Sequence, residues 1–156
     1  MQRWGEPRNT QDADLTLITG FGQEEAYVDA LLVQFAGRRE DAREFALNYR
    51  VLLLRAANGI PLDIALGAMP FEERCVERSS EWNAAEPVLR ICSAEDLIVH
   101  KAFAGRERDW LDIQGIIARQ SGRLNREQIH QELEPLLELK EDTAAAARLE
   151  TLFDRL

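Results

Sequence analysis

The apolar positions of this chain keep a strand-like period and a helical period in turn. Over residues 13–18, Ala-Asp-Leu-Thr-Leu-Ile, apolar and polar residues alternate, which predicts a strand. Thr19-Gly-Phe-Gly22 is the loop after it. Residues 23–35 carry apolar side chains at Ala26, Tyr27, Ala30, Leu31 and Val33 to Phe35, which predicts an amphipathic helix. Gly37-Arg-Arg39 closes it with cations near the C-terminus, as the helix dipole favours. Residues 45–48 read as a short edge strand. Residues 50–57 and 60–66 are two apolar runs joined by Asn58-Gly59. That dipeptide predicts a hairpin with a type I′ turn, which needs positive φ at both residues. Pro61 is tolerated there only because it begins its strand.

The second half turns helical. Residues 70–78 predict a short helix with Pro70 at its first position, 79–86 a loop, and 88–91 a last strand. Ser93-Ala-Glu-Asp96 resembles a capping box with Asp in place of Glu, and opens a helix over 94–104. Further helices are expected at 108–120, 126–137 and 143–156, with Asn125 as the N-cap of the third in this run. At the start, residues 1–4 read as the last turn of a helix ended by Gly5, and Glu6-Pro7-Arg8 as a turn. Strands first and helices last predict an α/β (α+β) domain. A sheet core over 1–92 would carry a helical part over 93–156 packed on it as one compact domain.

Composition narrows the class. A chain of 156 residues, 46% apolar and 30% charged, is that of a soluble globular protein with a real core. No apolar run reaches the length of a membrane span and no signal-peptide pattern is present, so no membrane partner is expected and the cytoplasm is the default location. A net charge of −9 argues against electrostatic wrapping of long nucleic acid, though a brief encounter with an RNA end stays open. Cys75 and Cys92 lie apart from each other and from both histidines, with no zinc spacing, and read as reduced, buried thiols. Arginine outnumbers lysine 17 to two, which draws attention to Lys101.

The candidate chemistry is acidic. Asp12 and Asp14 are separated by one residue, and in a strand such a pair points to one face, about 7 Å apart at Cα. Two carboxylates so placed suit Mg²⁺, a hard cation that also holds substrate phosphates; the alternative is ordinary turn chemistry ahead of a strand. Asp63 lies between Leu62 and Ile64, and an acid in so apolar a strand needs a partner or a metal. Three such carboxylates fit a phosphoryl-transfer site, in which the protein adds positioning and positive charge. Lys101 could supply that charge. It borders the apolar face of its helix, so it either snorkels outward or is held by an acid. Arg108 and Asp112 have the spacing of a surface ion pair. Trp4, Trp82 and Trp110 read as packing residues, and His100 and His130 as solvated or hydrogen-bonded ones. No His-Asp pairing supports a phosphohydrolase.

Three stretches carry a resemblance: Arg8-x-Thr10-x-Asp12-x-Asp14-Leu15, Leu62-Asp63-Ile64, and the run from Ser93 through Lys101 to Arg108-Asp109-x-x-Asp112-Ile113. Together they resemble the AbiEii-type nucleotidyltransferases of the DNA polymerase β-like superfamily, some of which are the toxin half of toxin–antitoxin pairs. The resemblance covers about residues 3–120. It implies a mixed sheet flanked by helices with a helical tail. It implies Mg²⁺ held by Asp12 and Asp14, with Asp63 as third carboxylate or base. Thr10, Lys101 and Arg108 would contact the nucleotide, Lys101 at its phosphates, and Asp109 would be the acid of the last motif. The implied reaction moves a nucleoside monophosphate from a nucleoside triphosphate to an acceptor hydroxyl on RNA or protein, and the implied partners include an antitoxin. The family's first motif, Gly-Gly or Gly-Ser opening a helix that cradles the triphosphate, has no counterpart here. That departure predicts either a start upstream of Met1 or a non-catalytic module of the same fold. It also predicts an uncovered sheet edge through which a homodimer would form.

Overall fold

The computed structural model describes residues 1–7, 12–83, 88–120 and 122–155. The chain forms two compact units, Asn9–Glu77 and the paired segments Met1–Arg8 and Arg78–Leu156. The boundary expected after residue 92 therefore falls earlier, after Glu77. The short strands near it pair with each other inside the second unit and add nothing to the larger sheet.

The sheet unit holds β1 (Ala13–Ile18), α1 (Glu24–Gln34), β2 (Ala36–Gly37), α2 (Ala42–Tyr49), β3 (Val51–Arg55), β4 (Pro61–Gly67) and α3 (Pro70–Glu77). The sheet order is β1-β4-β3-β2, with β1 parallel to β4 and the other pairs antiparallel. Mixed pairing of this kind is the expected fold class. The strand period decides the two faces. Leu52, Leu54, Ile64 and Leu66 are buried in one cluster with Val28 of α1 and Ala46 of α2. Fully burying a Leu or Ile side chain contributes about 1.5–3 kcal/mol, so this face fixes the register. Their neighbours Leu53, Asp63 and Ala65 then lie on the opposite face, half-buried.

Local expectations change in this unit. Residues 45–48 are not an edge strand but the middle of α2. Ala42 and Ala46, one helical turn apart, are the residues this segment buries. The Phe45 and Tyr49 rings, also four apart, lie 4.7 Å from each other at their centroids. An i, i+4 stripe outranks the short apolar run that suggested a strand. The hairpin forms where Asn58-Gly59 predicted it, but with a longer loop. Gly59 N–H donates to Ala56 O and Ala56 N–H to Ile60 O, both at 2.9 Å, and only Gly59 has positive φ, at +85°. This is a three-residue loop with glycine in the left-handed position, which needs positive φ once, not twice.

The helical unit holds β5 (Ser80–Trp82), β6 (Leu89–Ile91), α4 (Ala94–Ala104), α5 (Glu107–Gln120), α6 (Arg126–Lys140) and α7 (Ala144–Arg155). Part of the segment expected as a loop is thus β5, paired antiparallel with β6. Helix α4 packs on α5, α6 and α7 and buries Ile98, Val99 and Ala102. Both expected N-caps are present: Ser93 Oγ accepts from Asp96 N–H at 3.0 Å and Asn125 Oδ1 from Gln128 N–H at 3.1 Å. The N-terminal segment forms a single turn, Gly5 N–H donating to Met1 O at 2.9 Å. The indole of Trp4 donates to Cys92 O at 2.8 Å and that of Trp110 to Gly105 O at 3.1 Å, so both tryptophans pack as structural residues. Among the described residues no helix is long and apolar enough to cross a membrane.

Candidate functional site

The parallel pairing of β1 with β4 sets Asp14 opposite Asp63. Register partners on neighbouring strands project to the same face, with the strands about 4.8 Å apart. Two carboxylates distant in sequence therefore stand side by side. Leu53 of β3 is the next residue along this row. Arg38, just past β2, continues it: its N–H donates to Leu53 O at 3.0 Å. The Arg38 guanidinium reaches across Leu53, and its Nη2 pairs with Asp63 Oδ1. The two side chains are 23% and 34% exposed. Arg38 Nε is buried with no hydrogen-bond partner among the described residues, an arrangement that typically costs about 1–3 kcal/mol.

The row draws together Asp14 and Asp63 from the expected site. Asp12 is exposed in a bend just ahead of β1, so the i, i+2 strand argument does not reach it. Thr10 lies outside the described residues. Among the described residues no three His, Cys, Asp or Glu side chains are grouped to hold a metal ion. Asp14 and Asp63 still suit Mg²⁺ in donor chemistry. Both offer carboxylate oxygens on one sheet face, and this ion usually takes one or two carboxylates and fills its remaining positions with water and substrate phosphates. A depression of about 420 Å³ at the start of α1, lined by Gly22, Gln23, Glu25, Ala26 and Tyr27, shares no residue with this row.

The helical unit places the remaining candidates. Lys101, in the last turn of α4, donates to Asp112 Oδ2 at 2.5 Å and to Asp109 Oδ1 at 3.3 Å. Gly105 at φ +70° ends α4 and lets the chain turn directly into α5. Asp109 and Asp112 then share one face, three residues apart. The three side chains are only 12%, 12% and 9% exposed, and Asp109 Oδ2 is buried with no partner among the described residues. Of the two readings open for Lys101, the one in which an acid holds it is realised. Asp112, expected in a surface pair with Arg108, is buried and accepts from Lys101, while Arg108 is exposed.

Two features went unrecognised in the sequence. Arg38 had read only as a cation at the end of α1. The demand of Asp63 for a partner was its signal, but nothing local said which arginine would answer. The second is Arg78, which donates to Asp96 Oδ1 at 2.6 Å and to Glu132 Oε1 at 2.8 Å. The Asp96 carboxylate, then burial and Glu132, act on Arg78, with the net result that its proton is held more tightly than usual. Ser93 Oγ also donates to Asp96 Oδ2 at 2.8 Å, so the capping residue feeds the same network.

Neither a protein-family model nor a curated protein matches the chain.

Proposed function

We propose that the chain is a Mg²⁺-dependent nucleotidyltransferase, moving a nucleoside monophosphate from a nucleoside triphosphate to a hydroxyl on RNA or protein. The observation that carries this reading is the register of Asp14 against Asp63 on adjacent parallel strands. The sequence resemblance assigns metal-holding roles to these same two positions. Asp14 and Asp63 would hold Mg²⁺, with Asp12 close by in sequence, and the ion would supply Lewis-acid polarisation of the phosphate oxygens. In the transfer, the acceptor oxygen bonds to the α-phosphorus, the bond from that phosphorus to the bridging oxygen breaks, and pyrophosphate leaves. The acceptor proton passes to a carboxylate, for which Asp63 is the candidate. An antitoxin partner belongs to this reading as part of the same resemblance. Titrating the four nucleoside triphosphates with Mg²⁺ into the wild-type chain and Asp14→Asn tests it by calorimetry. Binding in the wild type that disappears in the variant is the expected result. Equal binding by both sinks the reading.

A second reading, a non-catalytic interaction module of the same fold, draws on one observation. Strand β1 is an edge of its sheet, with Leu15 48% exposed. An unpaired edge can add a strand from a second chain. A strictly monomeric mass by light scattering across concentrations counts against the homodimer form of this reading.

A further inference from the structure

We propose that Arg38 is an internal counter-ion for Asp63 that gives way to a divalent cation and then passes to the triphosphate, so that the row takes up metal and triphosphate together and resists metal alone. The inference rests on the nucleotidyltransferase reading and adds its regulation. Asp63 is the fixed member of the pair. It sits on β4, which is hydrogen-bonded on one side to β1 and on the other to β3. Arg38 is the movable member, a long side chain just past a two-residue edge strand, spanning Leu53 to reach its carboxylate.

The grip of Arg38 is incomplete. Its Nη2 holds Asp63 Oδ1, while its Nε, which would complete a side-on fork, is buried with no acceptor among the described residues. Bidentate pairing is the stronger geometry for arginine and carboxylate, so this contact leaves capacity unused. A phosphate oxygen would supply the missing acceptor.

Charge gives the proposal its sign. The Arg38 guanidinium already balances the charge of Asp63. A divalent cation alone must compete with the guanidinium for Asp63 and is repelled by it. When the cation arrives with a triphosphate, the added negative charge offers the guanidinium a new partner, and repulsion becomes attraction. Arg38 therefore couples the two ligands: it opposes the first alone and favours the pair.

The test uses Mn²⁺, which electron paramagnetic resonance detects directly, and inorganic triphosphate, which makes the nucleobase irrelevant. Both are titrated into the full chain as wild type, Arg38→Ala, Arg38→Lys and Asp14→Asn, with thermal melts by circular dichroism to confirm folding. Arg38→Ala should bind Mn²⁺ alone about tenfold more tightly, and Mn²⁺ with triphosphate about tenfold more weakly, within the range of ordinary coupling energies. Arg38→Lys, which keeps the charge and loses the fork, should fall between. If Arg38→Ala leaves Mn²⁺ affinity unchanged, or weakens it, Arg38 is no counter-ion and the inference is overturned while the parent reading stands. If Asp14→Asn binds Mn²⁺ as the wild type does, the metal is elsewhere, and parent reading and inference fall together.

Discussion

In the helical unit, Arg78 meets Asp96 and Glu132 where the carboxylate side chains are 0% and 7% exposed; in the sheet unit, Arg38 meets an Asp63 that is 34% exposed. The same chemical pair serves different ends at these two depths. Arg78 is forked onto Asp96 through Nε and Nη2 and bound to Glu132 through Nη1. Removing one member of so buried a group strands the others in a medium that solvates charge poorly. Among the described residues the Arg38 guanidinium holds Asp63 through Nη2, and that carboxylate is 34% exposed. In the helical unit two buried carboxylates share an arginine that is itself 27% exposed, whereas in the sheet unit the carboxylate is the more exposed partner, 34% against 23% for Arg38.

The largest effect should come from Arg78→Met. It leaves Asp96 and Glu132 without their cation, and a loss of about 3–5 kcal/mol is expected in urea unfolding. A loss below about 1 kcal/mol would erase the contrast between the two units. Lys101→Met should follow at about 3 kcal/mol, because Asp109 and Asp112 are nearly buried on the same ammonium. Adding Asp112→Asn should restore part of that loss, the non-additivity expected of groups in direct contact. Asp14→Asn is the complementary experiment. Its position is exposed, so stability should stay within about 0.5 kcal/mol while metal-dependent nucleotide binding disappears.

The smallest effect concerns an exposed pair. Glu107 accepts from Nη1 and Nη2 of Arg148, at 2.8 and 2.9 Å, with Glu107 83% exposed. The hydrogen bonds from Arg148 and its charge hold the Glu107 carboxyl below its ordinary value. A carboxyl whose folded pKa is depressed contributes stability that is present above its unfolded pKa and is lost as pH falls through the folded one. The stability gap between wild type and Glu107→Gln should therefore be small at pH 7 and close with acidification below the ordinary glutamate range. Denaturant melts at pH 7 and in that acidic window measure it. A gap that widens in acid would contradict the assignment.

Features that depend on near neighbours are legible in the residue order alone. The alternation over residues 13–18 places β1, Asn58-Gly59 marks the hairpin, and Ser93 and Asn125 cap their helices, because period, turn chemistry and capping act within a few residues. It also showed that Asp63 needed a partner or a metal, since an acid among apolar strand residues does so in any fold. Tertiary structure decided the rest. Residues 45–48 suit either a short strand or a helix, and burial of Ala42 and Ala46 settles for the helix. Asp14 meets Asp63 because β4, and not β3, lies beside β1. Arg38 answers Asp63 because β2 closes the far edge of the sheet, and Asp112 turns inward because α5 folds back on Lys101. Each of these joins depends on which apolar faces pack together, and a linear pattern states that a face exists without naming the face that covers it.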